Sequence, residues 1–220
     1  MAVITSPIYP ILSLMFPRMF STNRLSFERL CRRNISAKEV YDVISTDSPT
    51  IVEETKYLPW NPARTVHEAE ERIDNFQTQW EDRSRAEWLI REEDGTDELP
   101  FIGSTGIICQ WEKDLALFAI WLRKPYWGQG YSGERADALL KIAFELLDFD
   151  VVGIPLHSEN TKSYNAVGKY VERHGGRYEG VLRNHAGRYE EPADHHRFTI
   201  SQKEYRSADG VETTVTLKEN

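Results

Sequence analysis

The chain is short of cysteine. It has two, Cys31 and Cys109, far apart among 220 residues. That excludes a disulfide framework and a thiolate metal cage, and it fits a reducing, cytoplasmic compartment. Positive charge is also in deficit: 27 lysines and arginines face 35 acidic residues, a net charge of −8. The basic face of a nucleic-acid binder is therefore not expected, and a cationic or neutral partner suits the balance better. No stretch serves as a membrane span. Residues 1–20 are apolar but broken by Pro7, Pro10 and Pro17, and too short. They also lack the basic start of a secretory signal. Residues 1–22 therefore read as a flexible extension, or as sequence ahead of a true start at Met15 or Met19. Internal repeats and low-complexity linkers are absent too. With 40% hydrophobic and 28% charged residues, the remainder is an ordinary globular chain, long enough for one sizeable core.

What is present is organised around residues 120–133, Ile-Trp-Leu-Arg-Lys-Pro-Tyr-Trp-Gly-Gln-Gly-Tyr-Ser-Gly. The apolar run Leu115 to Leu122 reads as a buried strand. Pro125 stops it, since proline donates nothing to a ladder. Gly128, Gly130 and Gly133 permit a tight turn. Ala136, Leu139, Leu140, Ala143, Phe144 and Leu147 then recur at helical spacing from Glu134 onward. Such a turn leaves N–H groups unpaired at the positive end of a helix, which makes a phosphate cradle. The spacing matches neither the dinucleotide fingerprint nor the nucleoside-triphosphate loop.

Elsewhere the reading is coarser. Arg24 to Leu30 alternates as a strand. Ser36 with Glu39, and Thr65 with Glu68, are capping boxes that open helices to Ile44 and Asp82. The loop from Thr46 to Pro62 carries Tyr57, Leu58 and Trp60, either as packing or as a wall of an acceptor site. Ala86 to Arg91, Phe101 to Trp111 and Leu115 to Leu122 form a meander, with a charged turn at Asp94-Gly95. Val151 to Leu156 has the look of a buried parallel strand. A helix from Thr161 to His174 ends at Gly175-Gly176. Arg177 to Arg183 and Arg197 to Ser201 are two last strands around a polar loop, Asn184 to His196. Beyond Gln202 the polar chain either adds a strand or is a tail, set at 206–220 after a domain of 23–205.

Trp127-Gly128-Gln129-Gly130-Tyr131-Ser132 resembles the acetyl-CoA pyrophosphate loop of the GNAT superfamily of N-acetyltransferases. Within it, the sequence looks like the branch that holds the ribosomal-protein-alanine N-acetyltransferases. Asn160-Thr161-Lys162-Ser163 resembles that branch's second signature, about 30 residues downstream. The resemblance implies an α/β fold with a mixed, mostly antiparallel sheet of about seven strands and about four helices. In that fold the sheet splays between its fourth and fifth strands, leaving a crevice of the kind that binds ligands in open sheets. It implies acetyl-CoA as cofactor. Its pyrophosphate would lie on the N–H groups of Gln129, Gly130, Tyr131, Ser132 and Gly133, and its carbonyl on an N–H near Ile120, Trp121 or Leu122. Asn160 would meet the pantetheine arm and Ser163 the thiolate. Asn160 and Ser163 equally suit a helix cap and first turn. Back-to-back homodimers are common in such folds.

The acceptor would be a primary amine. It must be neutral to attack, and an α-amine with a pKa of about 7.7 meets that condition better than a lysine at about 10.4. A protein N-terminus is therefore the leading acceptor, with a polyamine or aminoglycoside-like amine as an alternative. A catalytically weak acyl-CoA-binding protein is a third reading, because related sequences often carry a glutamate where this chain has Leu117. Glu112, Glu134, His157 and Tyr164 are the substitutes to test as base or acid. Glu134 is also explained by the helix dipole, and His157 by a surface role. His195-His196 lack further ligands at metal spacing and read as loop residues.

Overall fold

A computed structural model describes residues 15–93, 99–188, 191–208 and 214–218. Residues 1–14, the expected turn at Asp94-Gly95, and Val211 in the tail lie outside the described residues. The elements run β1 (Met19–Ser21), β2 (Leu25–Arg29), α1 (Ala37–Ile44), α2 (Ile51–Thr55), α3 (Val66–Glu81), β3 (Arg85–Glu92), β4 (Phe101–Gln110) and β5 (Leu115–Leu122). They continue as α4 (Tyr131–Lys141), β6 (Val151–His157), α5 (Thr161–Arg173), β7 (Arg177–Arg188), β8 (Glu191–Ser201), α6 (Gln202–Ser207) and β9 (Thr216–Leu217). A π-turn over Ile142–Leu146 extends α4.

Nine strands form one sheet in the order β7-β8-β6-β5-β4-β3-β2-β1-β9. Among the described residues the only parallel ladder is β5 with β6, so the mixed, mostly antiparallel sheet expected from the sequence is present. Among the described residues it is wider than the seven strands expected, and six helices stand where four were counted. The surplus is β1, β9, α2 and α6. These elements are too short to show a period in sequence.

Both faces of the sheet are covered. Trp88, Ile90, Ile102 and Phe118 pack with α4 and α5 in one core. Leu89, Phe101 and Trp121 pack with α1 and α3 in a second. This double coverage explains why the central strands read as continuous apolar runs. The caps follow the sequence. Ser36 Oγ accepts from Glu39 N–H at 3.1 Å while the Glu39 carboxylate accepts from Ser36 N–H at 3.4 Å. At α3 only half the box forms: Thr65 Oγ1 accepts from Glu68 N–H, but Glu68 turns its carboxylate to Arg64 N–H at 2.8 Å.

Two stretches differ from the sequence reading. Within 1–22, Met19–Ser21 pair with β2 and with β9. Phe16 and Phe20 are buried in the first core, and Trp88 Nε1 donates to the Pro17 carbonyl at 2.8 Å. The expected polar loop at 184–196 is mostly hairpin, because β7 and β8 run on past it. A bulge between Leu182 and Ala186 absorbs the irregular residues. There Asn184 takes φ of 49°, and its N–H is held by Asp194 Oδ1 at 3.0 Å.

Candidate active site

The site begins where β5 and β6 part. Their ladder runs only from Leu115 opposite Val151 to Leu117 opposite Gly153. Hydrogen-bonding direction alternates along a strand. The bond from Arg123 N–H to Ile102 O therefore turns Leu117, Ala119 and Trp121 toward β4. By the same alternation the N–H groups of Ile120 and Leu122 face the gap. On the other side, the bond from Ser158 N–H to Asp194 O turns Gly153, Pro155 and His157 toward β5. The next rung would need an N–H at Pro155, and proline has none. The sheet opens at the residue that cannot continue the ladder.

The turn after β5 is tied back onto it. Trp127 Nε1 donates to Leu122 O at 2.8 Å. Gly128 and Gly130 take φ of 77° and 83°, a region nearly closed to other residues. Gly130 is the N-cap of α4 and offers no side-chain cap. Among the described residues the N–H groups of Gln129, Gly130, Tyr131 and Ser132 have no acceptor. Gly133 N–H is spent on Gly130 O at 3.0 Å. Space over Gly128 is open, with nothing within 4 Å of a Cβ built there. Four spare donors at a helix N-terminus, beneath open space, fit a pyrophosphate.

The turn is braced by partners the sequence reading did not single out, namely Thr22, Arg24 and Glu92. Glu134 Oε1 accepts from the Thr22 hydroxyl at 2.6 Å and Arg24 N–H at 2.9 Å. Its Oε2 accepts from Arg24 Nε at 2.7 Å, and Arg24 Nη1 reaches Gln129 O at 3.0 Å. Tyr131 donates its hydroxyl to Glu92. Opposite, α2 straps the mouth of the gap. Glu53 takes Lys124 at 2.5 Å and Lys162 at 3.1 Å, and Glu54 accepts from Lys124 N–H at 2.7 Å. Glu53 is held below the usual carboxylate range by those two lysines. These partners come from elements far away in sequence, and no local pattern announces them.

The expected acid–base residues fall into distinct settings. Glu112 lies in the turn after β4, near the closed end of the ladder and remote from the gap. Glu134 has both oxygens engaged, as above. His157, at the end of β6, accepts from Glu159 N–H on Nδ1 at 3.2 Å. In that geometry a neutral ring carries its proton on Nε2. Burial and His195 lower its pKa, which favours that neutral form. Asn160 caps α5, its Oδ1 accepting from Ser163 N–H at 3.1 Å, so its amide nitrogen stays free to donate. Tyr164 packs edge-on against His196 and Phe198. Among the described residues its hydroxyl, like that of Ser163, has no hydrogen-bond partner. His195 and His196 lie in β8 rather than in a loop. Among the described residues no group of three or more His, Cys, Asp or Glu could hold a metal.

The face of the sheet that carries α1 and α3 forms the other wall. Leu117, Ala119 and Trp121 point to it, and Trp121 meets the edge of Trp60 at 5.7 Å. Tyr57, after α2, lies 5.0 Å from the His157 ring. Arg197 lies beside Gly153 and Leu117 and has no ion pair or hydrogen bond among the described residues.

Comparison with known proteins agrees with this geometry. A family model described as an acetyltransferase (GNAT) domain matches residues 29–170. A GCN5-related N-acetyltransferase from Brucella melitensis superposes with a TM-score of 0.72 at 16% identity, covering 88% of this chain and 82% of that one. Spermidine N-acetyltransferase from Vibrio cholerae, solved with CoA and spermine, gives 0.64 at 18% identity, covering 83% and 98%. The Microcin C7 self immunity acetyltransferase, solved with acetyl-CoA and AMP, gives 0.69 at 15% identity, covering 81% and 93%. At such identities the likeness carries the fold. No curated protein matches in sequence. Among the described residues no helix is long and apolar enough to cross a membrane.

Proposed function

The chain belongs to the acetyltransferase (GNAT) family, and on that premise we propose that it moves an acetyl group from acetyl-CoA to a primary amine by direct attack in the gap between β5 and β6. The observation that carries this reading is the free donor set at residues 129–132 beside a gap held open at Pro155. Acetyl-CoA supplies a thioester, which an amine can attack without a covalent enzyme intermediate. The cradle fixes the phosphates, while Ile120 and Leu122 N–H offer donors where negative charge develops on a carbonyl oxygen. Trp127 keeps this edge ordered by occupying the Leu122 carbonyl. On this reading the amide nitrogen of Asn160 orients the pantetheine arm. Ser163 and Tyr164, in the first turn of α5 and with hydroxyls unengaged among the described residues, give a proton to the departing thiolate.

No carboxylate stands at Leu117, and His157 in its Nε2–H form is a donor rather than a base. We infer that the acceptor arrives largely neutral and loses its second proton to water. That condition favours an α-amine over a lysine side chain, and a protein N-terminus is the acceptor that suits it. The test is acetylation of two peptides. One has a free N-terminus and no lysine; the other has a blocked N-terminus and one lysine. The reading expects the first to be acetylated at least tenfold faster at pH 7. Preference for the second would overturn the acceptor assignment.

A further inference from the structure

A cleft of about 490 Å³ opens between the α2–α3 connection and α3, lined in part by Thr46, Asn61, Arg64, Glu68 and Arg72. We propose that it is an anion-binding subsite of the acceptor pocket, which takes a carboxylate or phosphate that the acceptor carries near its reacting amine. The inference rests on the transferase reading only for where that amine lies.

Arg72 is the reason. Its guanidinium carbon lies 3.9 Å from the Trp60 ring centroid. Nη2 makes one bond, to Asn61 O at 3.3 Å, and among the described residues Nε and Nη1 make none. Among the described residues no carboxylate pairs with it. Glu87, the closest in charge effect, already accepts from Arg85 Nε and Nη2 at 2.9 and 2.7 Å and from Ser104 at 2.8 Å. Glu68 is taken by Arg64 through N–H and Nε. Arg72 is half-buried; that burial lowers its pKa to about 10, as expected of a cation that loses part of its water without gaining an ion pair among the described residues. A planar fork with spare donors, stacked on an indole, is suited to carboxylate and phosphate. Thr46 and Asn61 add neutral polar groups to the lining.

Position gives this cation its role. Trp60, under Arg72, meets Trp121 at 5.7 Å, and Trp121 precedes Leu122 and follows Ile120, the two gap-facing donors. Through Trp60 and Trp121, Arg72 is therefore linked to the strand that borders the gap. Arg197, on the same face beside Leu117, is a second guanidinium without an ion pair among the described residues. The cleft's volume lies within the range of small-molecule sites, about 300–1,000 Å³.

The test uses isotope-labelled full-length protein saturated with CoA, so that the phosphate cradle is occupied. Inorganic phosphate and acetate are titrated separately at constant ionic strength, and the Trp60 indole and Arg72 Nε–H resonances are followed. The proposal expects saturable shifts at both in the parent and in Arg197→Gln, and binding at least tenfold weaker at the Trp60 resonance in Arg72→Gln. The anion that binds more tightly identifies the acceptor group as phosphate or carboxylate. Non-saturating shifts, shifts that survive Arg72→Gln, or shifts lost only in Arg197→Gln would overturn it. If Arg72→Gln fails to fold, Arg72→Lys replaces it. That variant keeps the charge and loses the fork, and undiminished binding there would overturn the bidentate assignment. Failure of CoA to bind would sink the transferase reading instead. Phosphate shifts at residues 129–132 would then remain distinct from those at Trp60.

Discussion

His157 shows how one hydrogen bond redirects a residue's chemistry. In sequence it is a histidine at a strand end, and a base is the natural guess. In the structure, Glu159 N–H occupies Nδ1, which leaves Nε2 protonated. The lowered pKa keeps the ring neutral down through the ordinary histidine range, so it contributes no acidic limb to the rate near pH 7. We predict that kcat/KM rises with pH along the titration of the acceptor amine, about 7.7 for an α-amine, and that His157→Gln leaves the midpoint in place. A limb that vanishes in the variant would restore His157 as base. Pro155 and Leu117 were equally visible in sequence, but their meaning lay in register. Only pairing with β5 shows that Pro155 removes the next rung, and only the alternation along β5 places Leu117 on the face that carries α1 and α3. Arg24 and Glu53 were not legible at all, because their partners lie more than a hundred residues away at Glu134 and Lys162.

Elements with strong local signals stand where the sequence placed them. Leu115–Leu122 is a strand end to end, because a continuous apolar run between a polar turn and a proline leaves little choice. Helix α1 begins at its capping box. Short or irregular elements were lost. Strand β1 has three residues in a proline-broken stretch, and its stability comes from the sheet rather than from propensity. The β7–β8 hairpin runs through polar residues, which give no apolar alternation to read in sequence. Strand β1 yields a prediction. Phe20 is fully buried, stacked on Phe27 at 4.4 Å and edge-on to Trp88. Phe20→Ala should cost about 3–5 kcal/mol and lower Tm by roughly 6–20 °C. A loss under about 1 kcal/mol would show that residues 15–22 are dispensable to the core.

At the scale of the molecule, one sheet separates two tasks. Helices α4 and α5 lie on one face, with the cradle at the head of α4. Helices α1 and α3, the α2 strap and the Trp60–Trp121 wall lie on the other. The gap at Pro155 joins the two sides, so cofactor and acceptor can approach from opposite faces. Catalysis here depends on the cradle at 129–132 holding the cofactor. Calorimetric titration with acetyl-CoA, beside a Gly130→Glu variant, tests this. The substitution puts a carboxylate where the phosphates should lie, at a backbone φ that costs an ordinary residue about 1–2 kcal/mol. Far-UV circular dichroism checks that the variant is folded. We predict that the parent binds one equivalent and that the variant loses at least about 100-fold, near 2.7 kcal/mol. Equal binding by the folded variant would place the cofactor elsewhere and contradict the account.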